Sequence, residues 1–368
     1  MLERDSCYFC TSPFQLFAIF SLAINRQEEA DLYIDPQFYE AKSFTKRIET
    51  LNIFRNVKII DSRKIYGKYM NASPGLKNHL QIVNTYFHVQ DIAEMILISD
   101  VRYTNIFLSS KAYLPRMIQL FYLKKKWNYN LYYFDDGAGT YYKDRAYHIK
   151  KPDKLIRRLL FGKKAVDTKY KRFVFSPKIY NELNINHNLS ELIPKFWENN
   201  TGKKLINSVF GVNKELDIKE KVIILDQPKD ELFTESDAKK ISNIYNMFAC
   251  KFGYDNVIIK QHPRSVGEIF GKISCFENNG IPFELYCLNM DMNDKIIISY
   301  SSTAIATPKV LFDQEPTVIV LTKLITPVTG EKNFFEDYFQ AVRKSYDNPK
   351  KFYIPNNVDE LEKIINLL

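Results

Sequence analysis

Two adjacent carboxylates end an apolar, aromatic run at residues 131–142, which reads LYYFDDGAGTYY. Asp135 and Asp136 cannot both ionise freely in a low-dielectric site, so one of them can have a raised pKa suited to a general base. Gly137 and Gly139 let the backbone turn sharply and approach a ligand closely. A buried strand that ends in a solvated turn and a metal-binding carboxylate pair are the alternative interpretations.

A second set of polar residues could bind a phosphate group. Ser301, Ser302 and Thr303 follow the apolar run IIISY and open a helical segment, where hydroxyls and the helix dipole favour an anion. His262 follows the run VIIKQ, where it can donate to a phosphate oxygen and stabilise charge on a leaving group. Pro263 fixes the turn after it. A plain N-cap for the serines and a structural role for the histidine are the alternatives.

These residues need a scaffold, and strand-like segments alternate with helix-like ones almost throughout. This order predicts an α/β protein with parallel, doubly wound sheets, whose ligands bind outside the carboxyl ends of the strands. Ser12 and Gln15, which follow the first strand around the helix-opening Pro13, are therefore candidate substrate-binding residues. The predicted strands lie at 6–12, 30–36, 56–61, 105–110, 131–137, 221–228, 256–263, 295–304 and 316–322.

At 368 residues the chain exceeds one ordinary core, which predicts two domains. The stretch 195–220 is polar and weakly periodic, and it is the best candidate for a linker. We therefore predict a Rossmann-like domain at 1–205, a second at 206–368, and a cleft between their facing loops.

The sequence shows neither a signal-peptide pattern at MLERDSCYFC nor an apolar span long enough to cross a bilayer, so we expect a cytoplasmic protein. Cys7 and Cys10 could form a redox or metal pair. They lie in a strand-like run, however, where residues three apart point to opposite faces, and no second Cys or His pair stands at zinc-finger spacing. We therefore expect reduced thiols and no metal.

The net charge of +9 is concentrated in one segment. Residues 143–172 contain twelve Lys and Arg against three Asp, an excess equal to the formal charge of the whole chain. A helix there could lie peripherally on an anionic membrane or pack, solvated, on its own domain. The segment contains no recognisable nucleic-acid module, so we expect no nucleic acid as partner; a homodimer is a further option. The predicted helix sets apolar residues on one side with cations around them: Leu155, Ile156, Leu159 and Leu160 with Lys154, Arg157 and Arg158.

Three motifs occur in a specific order: FDDG at 134–137, QHPR at 261–264 and SYSST at 299–303, after an N-terminal strand–TSPFQL–helix. This set resembles the bacterial sialyltransferases of the two-domain GT-B type, above all glycosyltransferase family 52, with related motifs in capsular polysialyltransferases. The resemblance covers roughly residues 6–310. It implies an inverting, metal-independent transfer of sialic acid from CMP-sialic acid to a galactose-ended glycan of a lipooligosaccharide or capsule, with no cofactor.

The resemblance also implies which acid takes the proton of the acceptor hydroxyl. The second acid of D-D-G in related enzymes is the general base, which corresponds to Asp136, and Asp135 is then a structural or tuning partner. In family 52 a different acid, in the loop after the first strand of the C-terminal half, has this role. LDQPKDE matches that loop and makes Asp230 the rival base.

On the donor side, the resemblance assigns His262 to the departing CMP phosphate and the two serines, Ser301 and Ser302, to phosphate binding. Glu284, in the sequence IPFEL, corresponds to the acid that holds the ribose hydroxyls of cytidine. Two other classes stay open: a GT-B transferase that uses another nucleotide sugar or CDP-glycerol, and a non-catalytic glycan- or membrane-binding protein on a transferase scaffold. The retained acids, histidine and serines argue against the second class.

Overall fold

The computed structural model describes residues 2–36, 38, 41–69, 76–109, 113–141, 151–166, 170–184, 190–227, 235–262, 270–277, 280–324 and 332–368. The chain divides into two compact units, Met1–Val212 and Asn213–Leu368. Each unit is built on one parallel sheet with helices in the connections. The prediction of an α/β fold with parallel, doubly wound sheets is confirmed.

The described part of the first unit contains seven strands: β1 (Leu2–Cys10), β2 (Ala30–Ile34), β3 (Asn56–Ile59), β4 (Val101–Ser109), β5 (Asn130–Phe134), β6 (Lys171–Val174) and β7 (Ser190–Leu192). They form one parallel sheet in the order β3-β2-β1-β4-β5-β6-β7. The order reverses between β1 and β4, which is the topological switch point of a doubly wound sheet. The central β1 is buried along its second half, in agreement with its unbroken apolar run.

The helices of this unit are α1 (Pro13–Arg26), α2 (Ala41–Glu49), α3 (Ser62–Tyr69), α4 (Leu76–Phe87), α5 (Val89–Ile96), α6 (Tyr113–Lys124), α7 (Ala138–Tyr141), α8 (Lys151–Phe161), α9 (Pro177–Leu183) and α10 (Asn200–Phe210). α1 begins as predicted, with an extended Ser12 before Pro13 in the first helical turn. It ends where Gln27 takes a left-handed conformation.

The second unit contains the strands β8 (Val222–Leu225), β9 (Val257–Lys260), β10 (Ser274–Cys275), β11 (Ile296–Ser299), β12 (Thr317–Val320) and β13 (Phe352–Tyr353), in the order β10-β9-β8-β11-β12-β13. This order repeats that of the first six strands of the first unit. Its helices are α11 (Glu235–Phe252), α12 (Phe283–Asn289), α13 (Thr307–Phe312), α14 (Lys332–Ser345) and α15 (Val358–Leu367).

The predicted linker at 195–220 is wrong over its first half, because α10 occupies that stretch. The helix is capped by Asn199, whose side chain accepts a hydrogen bond from the backbone N–H of Gly202, and it ends at a left-handed Gly211. The buried apolar side of α10 is narrow, and the polar residues around it obscure the helical periodicity of the sequence. The buried apolar residues of 195–210 are Trp197, Ile206, Val209 and Phe210.

The sequence left open whether the basic helix packs on its own domain. α8 buries Arg157 and leaves Leu155 and Leu159 at the surface. Ile156 packs against the core. Among the described helices, none combines the length and the apolar composition needed to cross a membrane.

Candidate active site

Asp135 lies directly after β5 and is fully buried. Its carboxylate accepts hydrogen bonds from the backbone N–H of Gly137 (2.9 Å), the backbone N–H of Phe175 (3.1 Å) and the hydroxyl of Tyr141. Burial raises the pKa of Asp135 to about 7, although these donors favour the charged form. The charge of Asp136 adds a smaller contribution in the same direction.

Asp136, the next residue, is only half-buried. Its Oδ1 accepts a hydrogen bond from the hydroxyl of Thr140 (2.7 Å), and its backbone N–H donates to the same hydroxyl (2.9 Å). Gly137 turns the chain between the two acids and α7 with a φ of +99°. The result is one buried acid that ties the turn together and one more exposed acid whose side chain is oriented by Thr140.

The residues after β1 approach this turn through aromatic packing. The ring of Phe14, in the first turn of α1, packs edge-on against Phe175 at 5.8 Å between centroids, and the N–H of Phe175 donates to Asp135. Ser12 is half-buried at the start of α1, and its side chain makes no capping hydrogen bond. Gln15 is buried, and its amide exchanges hydrogen bonds with Thr11. The substrate-binding roles of Ser12 and Gln15 stay predictions.

In the second unit, strand register aligns the residues predicted to bind the donor. Leu225, the last residue of β8, pairs with Lys260 at the end of β9 and with Ser299 at the end of β11. His262 and Ser301 each lie two residues beyond this row, on the strands that flank β8. Because parallel strands end at the same edge, His262 and Ser301 leave the sheet on one side.

Ser299 holds the turn that carries the predicted phosphate-binding serines. Its buried hydroxyl donates to the backbone carbonyl of Leu225 (2.8 Å) and accepts from the backbone N–H of Ser302 (3.0 Å). Ser301 and Ser302 are half-buried, and a 3-10 turn starts immediately after them at Thr303. The sequence analysis missed Ser299, although its position as a hydroxyl closing an apolar strand was a signal.

Lys260 lies two residues before His262, and its charge acts on Glu284 in the first turn of α12. Burial lowers the pKa of Lys260 to about 8 and raises that of Glu284, and the charge of each residue opposes the shift of the other. The Lys260 ammonium lies 5.3 Å from the centroid of the Phe276 ring, which packs edge-on against Tyr286 of α12. The structure therefore joins Glu284 to the end of β9, and it adds Lys260, which the sequence analysis missed. The signal was a lysine closing the apolar run VIIK.

Two predicted residues, Asp230 and Pro263, lie outside the described parts of the chain. Cys7 and Cys10 are both buried free thiols, and burial raises the pKa of each. A raised thiol pKa disfavours the thiolate needed for redox or metal chemistry. Within the described segments, no cluster of three or more His, Cys, Asp or Glu could hold a metal ion.

Substitution of Gly137 by alanine tests how far the acid turn depends on its backbone. A Cβ at Gly137 would meet no atom within 4 Å, so the cost comes from the positive φ alone. We expect Gly137→Ala to lower the free energy of unfolding by about 1–3 kcal/mol in denaturant titrations. Gly67→Ala in α3 is the matched control, because its Cβ also meets open space without a positive φ. A loss of stability as large in the control would contradict the interpretation.

The raised pKa of Asp135 predicts a pH-dependent stability. Its folded pKa of about 7 exceeds the unfolded value of about 3.9, so between those values the folded state binds more protons. The free energy of unfolding should therefore fall as pH rises from about 4 to about 7, by up to about 4 kcal/mol from this group. The Asp135→Asn variant should lose this part of the pH dependence of the free energy of unfolding, whatever its absolute stability. The exposed Asp255→Asn should keep it, and an unchanged slope in Asp135→Asn would refute the assignment.

Comparison with solved structures shows which fold the two sheets form. The calicheamicin glycosyltransferase CalG4 aligns with 100% of this chain and 90% of its own, at 9% identity and a TM-score of 0.53. UGT89C1 of Arabidopsis thaliana (11% identity, 99% and 93% coverage, TM-score 0.49) and the UDP-GlcNAc 2-epimerase of Methanocaldococcus jannaschii (10%, 100% and 100%, 0.48) also align. The likeness to CalG4 shows that the fold is of the GT-B type, as predicted.

Comparison with protein families identifies the chain more closely. No curated protein sequence matches it significantly. The model of the alpha-2,8-polysialyltransferase family matches residues 7–322, a span that contains FDDG, QHPR and SYSST. This supports the predicted sialyltransferase resemblance at the level of the enzyme class. The chain belongs to the alpha-2,8-polysialyltransferase family.

Proposed function

We propose that the protein transfers sialic acid from CMP-sialic acid to a glycan of the bacterial cell surface, with inversion at the anomeric carbon. The observation that carries this proposal is the family match, because residues 7–322 include both the acid turn and the two donor-side motifs. The GT-B fold agrees with it. The closer assignment to family 52 and to a lipooligosaccharide or capsule product is part of the same proposal and rests on the motifs.

In the proposed reaction Asp136 is the general base. It takes the proton from the attacking acceptor hydroxyl while the new carbon–oxygen bond forms on the face opposite the departing CMP. The half-exposed position of Asp136 and its hydrogen bond from Thr140 support this role. Asp135 is fully buried and accepts three hydrogen bonds, so its proposed role is to position Asp136. Asp230 is the alternative base.

CMP leaves with the electron pair of the broken bond, which places a second negative charge on its phosphate. We assign stabilisation of that charge to His262 and to the hydroxyls of Ser301 and Ser302. The alignment of His262 and Ser301 two residues beyond one strand row supports a shared role. Glu284 would hold the ribose hydroxyls, and the charge of Lys260 opposes the rise in the pKa of Glu284 that burial causes.

The proposed chemistry needs no metal ion because the leaving group is a monophosphate rather than a diphosphate. Hydroxyls, a histidine and backbone N–H groups can neutralise a phosphate dianion. The paired acids of the FDDG turn are accordingly assigned to proton transfer and positioning. The proposed independence of metal ions rests on CMP-sialic acid as the donor.

Two acceptors are proposed, each on its own support. The motif resemblance favours a galactose-ended glycan, whereas the family description favours a sialic acid-ended chain extended through an α2,8 linkage. Product analysis with a galactose-ended oligosaccharide and with a sialic acid oligomer as competing acceptors distinguishes them. Both acceptors would use the same base and donor groups.

Substitution of the proposed catalytic residues should abolish most turnover of CMP-sialic acid. We expect at least about a hundredfold lower kcat in Asp136→Asn from loss of the base. Loss of a charge-stabilising donor in His262→Ala should lower kcat by about a hundredfold to a thousandfold. Release of CMP with each acceptor gives the measurement.

The controls for turnover are Asp255→Asn and His88→Ala, whose side chains are exposed. Unchanged rates in both Asp136→Asn and His262→Ala would disprove the assignments. If only Asp230→Asn loses turnover, the base is Asp230. Stabilisation by CDP-glycerol or a UDP-sugar, with none by CMP, would instead identify another transferase.

Binding of CMP tests the proposed nucleotide site apart from chemistry. Glu284→Ala should weaken CMP binding by about tenfold or more, because a charge-assisted hydrogen bond to the ribose is lost. Isothermal titration calorimetry measures the affinity, and the exposed Glu362→Ala is the control. Equal CMP affinity in the two variants would exclude Glu284 from the site.

A further inference from the structure

Helix α8 is attached to the first unit through a buried polar cluster. Arg157 pairs with Asp153 one turn earlier (3.0 Å), and its Nε donates to the hydroxyl of Tyr86 on α4 (2.7 Å). The Tyr86 hydroxyl donates in turn to Asp153. Phe161 packs edge-on against the ring of Tyr86, and Ile156 faces the same core. The inward side of α8 is therefore held by Asp153, which is the only acid of residues 151–166, and by Arg157.

This attachment leaves the opposite side of α8 both apolar and basic. Leu155 is 59% exposed, Leu159 76% and Leu160 41%. Among the described residues, eight large apolar side chains are strongly exposed, and three of them lie on this one helix. Exposed cations alternate with the leucines along the helix and continue past its end: Lys154, Arg158, Lys163 and Lys164. We call this surface of Lys154–Lys164 the leucine–cation face.

We propose that the leucine–cation face docks the protein on a membrane surface that contains anionic lipids. Leucines flanked by Lys and Arg suit the lipid interface, where the apolar side chains enter the acyl boundary and the cations meet anionic headgroups. The only acid of residues 151–166, Asp153, is held in the ion pair with Arg157. The outward face is therefore not neutralised by a carboxylate of its own helix.

Two other occupants fit this face less well. An acidic polysaccharide would satisfy the cations, but it offers no apolar surface for Leu155 and Leu159. A second copy of the chain would cover the leucines, but an isologous contact would bring like charges such as Arg158 together. An anionic lipid surface satisfies both the apolar and the basic residues.

The proposal concerns where the enzyme works and does not depend on which donor it uses. A transferase docked on the membrane would meet lipid-anchored acceptors by diffusion in the plane of the membrane. Soluble acceptors test the chemistry without the membrane. Failure of docking would thus leave the proposed sialyl transfer intact, and the two can be tested separately.

Co-sedimentation with vesicles tests the docking. We expect the full chain to bind vesicles of equimolar phosphatidylcholine and phosphatidylglycerol, and to bind pure phosphatidylcholine far more weakly. The double variant Leu155→Gln, Leu159→Gln should bind the anionic vesicles at least about tenfold more weakly, because two leucines no longer enter the interface. Arg158→Gln should also weaken binding and reduce its sensitivity to salt.

Leu192→Gln is the matched control, because Leu192 is 56% exposed on β7 of the same unit but next to Glu191. It should bind vesicles like the unmodified chain, and all variants should turn over a soluble acceptor equally. Equal vesicle binding by the double variant, or no vesicle binding by the unmodified chain, would overturn the proposal. The proposal would also fail if the double variant changed from dimer to monomer while its vesicle binding stayed the same. It would fail likewise if the double variant lost binding to a soluble acidic polysaccharide but kept its binding to vesicles.

Discussion

The buried carboxylate of Asp135 is the interaction on which the acid turn of the first unit depends. It joins the end of β5 to α7 and to the residue after β6 through three donated hydrogen bonds. Removing a carboxylate from water costs several kcal/mol, and these donors offset that cost only while all three segments stay in place. The neighbouring Asp136 lies in the same turn, where its backbone N–H and its carboxylate both bond to Thr140. Asp135 stabilises the turn, and Asp136 lies on the more exposed side of that turn.

The second unit reaches a comparable arrangement through strand register. Lys260, Leu225 and Ser299 close three adjacent strands in one row, so His262 and Ser301, each two residues beyond that row, leave the sheet at the same end. The hydroxyl of Ser299 stabilises the turn after β11, because it donates to the carbonyl of Leu225 in β8 and accepts from the N–H of Ser302. In both units, a buried polar group behind the strand ends sets the geometry of the more exposed residues in front of it.

The sequence was sufficient for the fold class, most strand positions and the edge of each sheet that carries the motifs, because apolar runs and the residues after them are local patterns. It was insufficient for α10, whose narrow apolar stripe lies among Asn and Lys residues, and for the orientation of α8. In α8 the ion pair of Asp153 with Arg157 is joined by hydrogen bonds to Tyr86, a residue distant in sequence. Lys260 and Ser299 were missed for the same reason, since their roles come from partners on other elements.

The position of β1 in the middle of its sheet has a consequence for synthesis of the chain. β1 (Leu2–Cys10) is made before the other strands described in its sheet, yet one of its two neighbours is β4 (Val101–Ser109), which follows β2 and β3 in the chain. At about 5–20 residues per second, this strand waits on the order of 5–20 seconds before its partner exists. During that interval one of its edges can pair with other nascent chains. Among the inner strands described in this sheet, β1 therefore keeps an unpaired edge for the longest time during synthesis.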